Sequence, residues 1–276
     1  MPCPLCRSRI QAFVFEVSGI DILDCEECGH RFAEAGGEEA HIERVYGDHY
    51  FTEGGAGYAD YLSEELLLTK RGGFYAGKLA RHSEPGRILD VGCAAGFTLK
   101  GFQNAGWNGI GIEPNEMIGS YGRVQLGLDI RRSTLEAFGD AERFSAIAMI
   151  QVVAHFREPM LAFEKARDLL MDRGLLLIET WDRGSIVAKT LGKHWHEYSP
   201  PSVLQWFSSE GLDKCLSPLG FERLSGGRTL KWISGDHIKS LLKYRLGRMP
   251  GLGLIPDRIR LPYISDDLFY AIYRKQ

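Results

Sequence analysis

The first residues that could do chemistry are four cysteines arranged in two pairs. Both pairs have the spacing C-x2-C, and their members are Cys3, Cys6, Cys25 and Cys28. Four thiolates so spaced suit tetrahedral Zn²⁺, which would be structural because no coordination position stays open. The stretch 11–23 between the pairs alternates in polarity around a turn signal at Ser18-Gly19, which predicts a hairpin. We therefore expect a small zinc ribbon over residues 1–35; the alternative is two unconnected pairs of buried or redox cysteines.

A second candidate site follows an apolar run in the sequence RILDVGCAAGFTLK at 87–100. The strand predicted here would deliver Asp90 to the carboxyl edge of a parallel sheet, where such folds bind ligands. The small residues Gly92, Ala94 and Gly96 leave the backbone accessible. The helix expected after them presents unsatisfied N–H groups to a carboxylate or phosphate.

Glu113 complements that loop from the end of the next predicted strand. An acid at this place can accept hydrogen bonds from both hydroxyls of a ribose. The loop and the acid together predict a nucleoside held across two neighbouring strands. A dinucleotide fingerprint would read G-x-G-x-x-G, whereas this loop has Ala94 at the second glycine position.

The elements that must position these residues alternate between strands and helices from Arg87 onwards, which is typical of a parallel α/β sheet. Strands are predicted at 87–91, 109–113, 128–131, 144–150, 173–180, 221–232 and 267–274. We expect an α/β fold with a Rossmann-like, mostly parallel seven-stranded sheet, in which the last two strands pair antiparallel at one edge. A helix is predicted near 201–217.

Three domains follow from this pattern. Residues 1–35 are the predicted ribbon, 36–82 an aromatic lid or linker and a helix, and 83–276 the core. The core carries predicted inserts at 181–200 and 233–265. Tyrosines in the aromatic stretch 46–62 could cover a ligand, since a tyrosine joins an apolar face to a polar tip.

The run D-x-G-x-x-x-G with a later acid resembles motif I of class I S-adenosylmethionine-dependent methyltransferases. GIGIEPNEM resembles that family's strand ending in the ribose acid, and LLMDRGLLLIET resembles its fifth strand. A narrower resemblance links the pre-core stretch YFTEGGAGYADYL to zinc-ribbon methyltransferases of bacterial glycan and natural-product pathways. These resemblances imply S-adenosylmethionine as cofactor beside the structural Zn²⁺.

The family resemblance also assigns roles to individual residues. Asp90 and the Gly92–Gly96 backbone would lie beside the methionine moiety, and Glu113 would hold the ribose. The turn at Thr134-Leu135 would contact adenine through backbone groups. Gln151, just past the fourth strand, would help to form the methionine pocket.

Candidates for acid–base chemistry lie after the fourth and fifth strands. The resemblance places His155 towards the cofactor cleft, where its ordinary pKa suits a general base. His196 and Tyr198 lie where this family places substrate-binding elements. The alternatives are local packing for His155 and a solvated loop for the other two.

Charge is distributed unevenly along the chain. Residues 1–60 hold 12 acids against 4 Lys/Arg, whereas residues 221–276 hold 11 Lys/Arg against 5 acids. The acidic front disfavours nucleic acid as a partner. The mixed basic and apolar run 238–263 could touch a membrane surface or a lipid-linked substrate. The N-terminus has no signal-peptide pattern, so we expect a cytoplasmic protein with reduced cysteines.

The leading hypothesis is methyl transfer to an oxygen, nitrogen or carbon of a small molecule. By resemblance, the favoured acceptor is a sugar, a nucleotide sugar or a lipid-linked saccharide. One alternative is a ribosomal RNA methyltransferase that uses the ribbon for recognition. Another is a non-catalytic module that binds the cofactor or a partner protein.

Overall fold

The structure, a computed structural model, describes residues 1–34, 61–139, 141, 143–229, 231–235, 239, 251, 256, 259–263 and 266–276. Its N-terminal strands are β1 (Gln11–Val17), β2 (Ile20–Cys25) and β3 (Arg31–Ala33). β1 and β2 form the hairpin that the sequence predicts, with Ser18 and Gly19 at φ values of 53° and 77° in its turn. Positive φ at both turn residues matches the twist of the flanking strands.

The remaining strands follow from Arg87. They are β4 (Arg87–Val91), β5 (Asn108–Ile112), β6 (Ile130–Arg131), β7 (Phe144–Ile150), β8 (Leu170–Trp181), β9 (Gln205–Trp206), β10 (Phe221–Arg228), β11 (Lys231–Ser234), β12 (Arg260–Tyr263) and β13 (Leu268–Lys275). The α-helices of the described residues are α1 (Glu65–Leu79), α2 (Phe97–Asn104), α3 (Glu116–Leu126), α4 (Pro159–Leu169), α5 (Ile186–Leu191) and α6 (Ser209–Leu216). Short 3₁₀ turns include Val153–His155 and Gly192–His194.

Seven strands form the main sheet in the order β10-β13-β8-β7-β4-β5-β6. β4 runs parallel to β5 and β7, and β7 runs parallel to β8. β13 is antiparallel to both β8 and β10. The predicted Rossmann-like sheet with an antiparallel edge is therefore confirmed.

Both faces of this sheet are buried under helices. One face packs Tyr75 of α1 and Phe102 of α2 against the strands, and the other packs Phe163 of α4 and Leu212 of α6. Strands covered on both faces read as nearly continuous apolar runs, which explains why the sequence revealed them. Within the described ranges, no helix is long and apolar enough to cross a membrane.

Helices α1 and α2 cross backbone to backbone at two glycines. A Cβ on Gly72 would lie 2.1 Å from the Thr98 carbonyl oxygen, and one on Gly101 would lie 2.2 Å from that of Thr69. Since a Cβ at either position would collide with backbone atoms, the two glycines set how closely α1 approaches α2.

Two sequence predictions about elements are wrong. The helix expected from residue 201 begins only at Ser209, where the Ser208 hydroxyl accepts a hydrogen bond from the N–H of Gly211 at 3.0 Å. Before it, β9 extends the N-terminal sheet by pairing with β3. The strand expected over 221–232 ends at Arg228, and β11 pairs separately with β12.

Two predicted segments fall largely outside the described residues. Of the aromatic stretch, only Tyr61 and Leu62 are described. Most of the insert at 233–265 is likewise outside them, including most of the basic run. The three domain boundaries stay predictions.

Candidate active site

The two acids predicted to bind a nucleoside lie at the carboxyl ends of neighbouring strands. Asp90 of β4 pairs with Gly111 of β5, and Glu113 directly follows β5. Their exposed fractions are 2% and 6%. Because parallel strands end at one edge of a sheet, the pairing brings these buried acids into a single polar site.

The loop between β4 and α2 is held in left-handed backbone conformations. Gly92, Ala94 and Gly96 have φ values of 67°, 49° and 79°. A Cβ on Gly96 would lie 2.5 Å from Cδ1 of Leu128, and the positive φ would strain any residue that carries a Cβ. Ala94 adopts a conformation that costs energy for a residue with a Cβ, a kind of strain that clusters at ligand sites.

The Glu113 carboxylate is fixed by two backbone donors. Oε2 accepts from the N–H of Ala94 at 3.0 Å, and Oε1 accepts from the N–H of Asn115 at 2.9 Å. Burial raises the pKa of Glu113, and these two hydrogen bonds oppose that rise. Each carboxylate oxygen can accept more than one hydrogen bond, so the oriented group can still receive two hydroxyls.

Asp90 contains a buried oxygen for which the described residues supply no hydrogen-bond partner. This atom is Oδ2. Burial raises the pKa of Asp90 to about 8, and the nearby Glu113 carboxyl adds to the rise. A buried carboxyl without a partner is costly, and a cationic ligand would relieve that cost.

Gln151, which directly follows the adjacent strand β7, contains a second buried polar atom of this kind. Its Nε2 is buried and lacks a hydrogen-bond partner among the described residues. The residue has a φ of 57°, and its backbone N–H donates to the Glu179 carbonyl oxygen at 2.8 Å. An unpaired donor beside an unpaired carboxyl matches a ligand that carries both a carboxylate and a cationic group, such as an amino acid moiety.

The predicted adenine turn follows β6. Leu135 is buried, with 2% exposed, and the Thr134 carbonyl oxygen accepts from the N–H of Phe138 at 3.0 Å. The Thr134 hydroxyl accepts from the N–H of Ala137 at 3.3 Å. The side chains thus stabilise the turn itself, which fits a role for the turn through backbone groups.

The structure places His196 beside Glu197, whose charge also acts on His155. The Nε2 atom of His196 lies 2.9 Å from Oε1 of Glu197, and Glu197 also acts on His155 by raising its pKa. Burial has the larger effect and lowers the pKa of His155, whose Nδ1 donates to the Ser202 carbonyl oxygen at 2.8 Å. His155 is therefore neutral at neutral pH, with one ring nitrogen bound to the backbone.

Tyr198 lies apart from that group, beneath the N-terminal sheet. Its hydroxyl accepts from Nη1 of Arg31 at 2.7 Å, and its ring packs edge-on against Phe15 at 4.8 Å. Only 7% of the residue is exposed. As placed, Tyr198 joins the predicted ribbon to the core.

A buried carboxylate that the sequence predictions did not single out lies near the end of β8. Glu179 is fully buried, and its two oxygens accept from Arg71 and Tyr75 of α1. The Tyr75 hydroxyl also lies 3.2 Å from Oγ1 of Thr229. The available signal was the polar pair Glu179-Thr180 ending an otherwise apolar strand, which is uncommon for a strand buried on both faces.

Comparison with known proteins agrees with this geometry. The model of a family described as a methyltransferase domain matches residues 67–225, which is more than half of the chain and spans the whole carboxyl edge. The chain belongs to this family. It is a class I S-adenosylmethionine-dependent methyltransferase, as the resemblance of motif I implied.

Curated relatives of the methyltransferase include two enzymes named ubiquinone biosynthesis O-methyltransferase. The one from Actinobacillus pleuropneumoniae is 27% identical over 161 residues, covering 49% of this chain and 68% of that protein. The one from Cereibacter sphaeroides is 31% identical over 128 residues, covering 44% of this chain and 49% of that protein. The chain thus spans about half to two thirds of these relatives.

Solved structures share the fold of the methyltransferase at low identity. A methyltransferase from Thermotoga maritima superposes with a TM-score of 0.52 and 16% identity, covering 85% of this chain and 97% of that one. Magnesium protoporphyrin IX methyltransferase from Synechocystis, solved with bound SAH, gives 0.53 and 14%, covering 86% and 93%.

The four N-terminal cysteines of the methyltransferase form one cluster. Their sulfurs all lie within 4.8 Å of one another, with Cys3 to Cys28 at 3.6 Å and Cys6 to Cys25 at 3.4 Å. Tetrahedral zinc with Zn–S bonds of about 2.3 Å would separate its sulfurs by about 3.8 Å. The alternative of two unconnected pairs does not match this geometry.

Both C-x2-C turns are built in the same way. The N–H of Arg7 donates to the Cys3 carbonyl oxygen and that of Gly29 to the Cys25 carbonyl oxygen, each at 2.9 Å. Arg7 and Gly29 have φ values of 64° and 71°. Two matched turns present their thiols towards a common centre, which is the geometry of a structural metal site.

Proposed function

We propose that the methyltransferase transfers the methyl group of S-adenosylmethionine to an oxygen, nitrogen or carbon of a small molecule. The observation that carries this proposal is the pair of buried polar atoms, Asp90 Oδ2 and Gln151 Nε2, at the ends of adjacent strands. When bound, the cofactor supplies a methyl group already activated on a sulfonium sulfur. The protein's task is then alignment and exclusion of water.

The roles that we propose for individual residues in cofactor binding follow from their positions at the carboxyl edge of the sheet. Asp90 and the backbone from Gly92 to Gly96 would hold the methionine moiety, with Gln151 donating to its carboxylate. Glu113 would accept hydrogen bonds from the ribose hydroxyls, supported by its two fixed backbone donors. The turn at Thr134-Leu135 would contact adenine.

A base is needed only where the acceptor must lose a proton. Among the three candidates we assign this role to His196, because its side chain is 42% exposed and is paired with Glu197. The other two candidates are less available, because the Nδ1 atom of the half-buried His155 is bound to the Ser202 carbonyl oxygen and the Tyr198 hydroxyl is bound by Arg31. We infer that His155 supports the pocket beside Gln151.

The acceptor is proposed to be a sugar, a nucleotide sugar or a lipid-linked saccharide. The relatives named for ubiquinone biosynthesis support a small molecule in general. The saccharide class rests on the resemblance to ribbon-bearing glycan enzymes. The polar pair of His196 and Glu197 suits an acceptor rich in hydroxyl groups.

The N-terminal module is proposed to bind one structural Zn²⁺ through its four cysteines. Burial raises the pKa of the Cys3 thiol to about 11, so its thiolate needs a nearby positive charge, which the metal would supply. We retain the proposed domains: the ribbon at 1–35, the linker and helix at 36–82 and the core from 83.

The test uses radiolabelled S-adenosylmethionine, host-cell extract and the purified full chain. After reaction, the extract is separated into RNA, protein, lipid and small-molecule fractions. We expect label in small molecules, or in lipids from which mild acid releases a labelled saccharide. The control is Asp90→Asn, which should transfer much less label when S-adenosylmethionine is kept below the Kd of the variant.

Other outcomes contradict the proposal in different ways. Label in RNA would favour a ribosomal RNA methyltransferase with the ribbon as its recognition module. The protein could also bind S-adenosylmethionine and yet label no fraction, even at the highest extract concentration. That result would count against a methyl acceptor in the host-cell extract.

A further inference from the structure

The N-terminal sheet and the turn beside the methionine pocket are joined through one short segment of the core. Segment 202–206 lies between them. On one side, β9 pairs with β3, and the N–H of Ala33 donates to the Leu204 carbonyl oxygen at 2.9 Å. On the other side, the N–H of Leu204 donates to the Ala154 carbonyl oxygen at 2.9 Å.

Gln205 spans this junction with its side chain. Its Nε2 donates to the Phe156 carbonyl oxygen at 3.0 Å, and its Oε1 lies 2.8 Å from Nε2 of His30. A carbonyl oxygen only accepts, so the NH₂ must face Phe156 and the oxygen must face His30. His30 therefore donates from Nε2, and both buried polar groups are satisfied.

His30 itself belongs to the second C-x2-C turn. Its carbonyl oxygen accepts from the N–H of Cys25 at 2.8 Å, which closes that turn. Both His30 and Gln205 are buried, with 5% and 2% exposed. A continuous path of hydrogen bonds thus runs from a cysteine turn through His30 and Gln205 to the backbone that follows His155.

We propose that Gln205 is a positioning residue through which the ribbon holds the turn Val153–His155 at the acceptor end of the active site. This deepens, and rests on, the proposed function of the ribbon as a zinc module. The ribbon then shapes the acceptor pocket, while the cofactor loop at 92–96, which follows the neighbouring strand β4, keeps its geometry without it. Recognition of a separate macromolecule is not required of the ribbon.

The test compares Gln205→Leu with a matched control, Gln103→Leu, in the full-length protein. Gln103 also donates to a backbone carbonyl, that of Gly109 at 3.2 Å, but lies in α2 away from the junction. For Gln205→Leu we expect unchanged zinc content and unchanged affinity for S-adenosylmethionine. Amide hydrogen exchange over 152–156 should accelerate about tenfold, because the variant loses the free energy that one buried hydrogen bond contributes to keeping the turn closed.

The kinetics of label transfer into the extract distinguish a positioning role of Gln205 from a general loss of structure. At saturating cofactor, Gln205→Leu should need about tenfold more extract for half-maximal rate, with the maximal rate kept within about twofold. His30→Leu should have the same effect, and the double variant should be no worse than either single one. Additive losses would mean that the two residues act separately and would overturn the proposal.

Removing the metal tests independently whether the ribbon positions the turn. Stripping zinc from the wild-type protein should accelerate exchange over 152–156 while leaving 108–112 unchanged. Unaltered exchange over 152–156 in both stripped protein and Gln205→Leu would overturn the proposal. If the protein as purified contains no zinc, that result would contradict the proposed metal module. The Gln205→Leu result would still decide whether Gln205 positions the turn Val153–His155.

Discussion

Two regions of the methyltransferase that bury polar groups, the cofactor edge and the ribbon–core junction, differ in how those groups are hydrogen-bonded. At the cofactor edge, Asp90 Oδ2 and Gln151 Nε2 have no hydrogen-bond partner among the described residues. At the junction, Arg31 binds Asp24 through two nitrogens, at 2.8 and 2.6 Å, and also reaches Tyr198. Gln205 likewise uses both ends of its amide.

This difference in hydrogen bonding indicates which of the two regions binds a ligand. A buried polar atom left unpaired costs about 1–3 kcal/mol of stability, whereas a paired one contributes modestly. In the proposed function, the partners of these two atoms at the cofactor edge would arrive with the bound cofactor and remove that cost. The junction is complete without a ligand, which is the behaviour of a structural interface.

The largest effect is expected from removing a metal ligand. Cys25→Ser should abolish zinc binding and lower the free energy of unfolding by more than about 4 kcal/mol, because metal binding and folding of such modules are coupled. Zinc content and denaturant unfolding measure both changes. Cys215→Ala, a buried thiol in α6, is the control and should keep its zinc; equal zinc loss in both variants would contradict the four-cysteine assignment.

At the cofactor edge, Asp90→Asn should weaken S-adenosylmethionine binding by about 100-fold, because a buried charge partner for the cationic ligand is lost. The same change should raise the denaturation midpoint of the free protein, since it removes an unpaired buried carboxyl. Calorimetric titration and denaturant unfolding check the two directions. Asp129→Asn, at an exposed ion pair with Arg131, should alter neither. A destabilised Asp90→Asn would mean that the edge is as satisfied as the junction.

Cofactor affinity should depend on pH through Asp90. With its pKa raised to about 8, this carboxyl holds a proton at pH 6.5 that a cationic ligand would displace. Affinity should therefore rise about tenfold between pH 6.5 and 8, with proton release on binding. Titrations in buffers of different ionisation enthalpy measure this release. A flat profile would contradict the assignment.

The raised pKa of Asp90 has the opposite effect on the stability of the cofactor-free protein, which should fall as the pH rises. The unfolded chain loses the Asp90 proton near pH 4 while the folded chain keeps it to about pH 8. The stability contribution of this group therefore falls as pH rises through that window. Denaturant unfolding at several pH values should show a shallower decline for Asp90→Asn than for the wild-type protein.

The smallest effect is expected at the junction. Arg31→Lys keeps the charge but cannot bind Asp24 with two nitrogens while donating to Tyr198. The free energy of unfolding should fall by about 1–2 kcal/mol with cofactor affinity unchanged. Denaturant unfolding and calorimetric titration measure the two quantities. Weaker cofactor binding in this variant would show that the two regions are not separate.

Sequence patterns predicted the sheet well and the junction poorly. The strand 87–91 was predictable because burial on both faces makes it continuously apolar. The helix expected from residue 201 was wrong because the strand character of 205–206 comes from pairing with β3, a partner far away in the chain. The contact of Tyr198 with Arg31 was not predictable for the same reason, since Arg31 is 167 positions away in the chain. The acid–base role of Tyr198 stays a prediction.

The sequence by itself determined the four-cysteine set, the strand and loop that carry Asp90, and the acid at Glu113. These depend on local spacing, on runs of apolar residues and on the regular return of parallel strands to one edge. Only the tertiary structure decided that Asp90 and Gln151 keep atoms with no hydrogen-bond partner in the described part of the chain, that Glu179 is held by Arg71 and Tyr75, and that Gln205 meets His30. Each of these depends on which distant groups arrive beside a buried atom, and hydrogen bonding acts over about 3 Å regardless of separation along the chain.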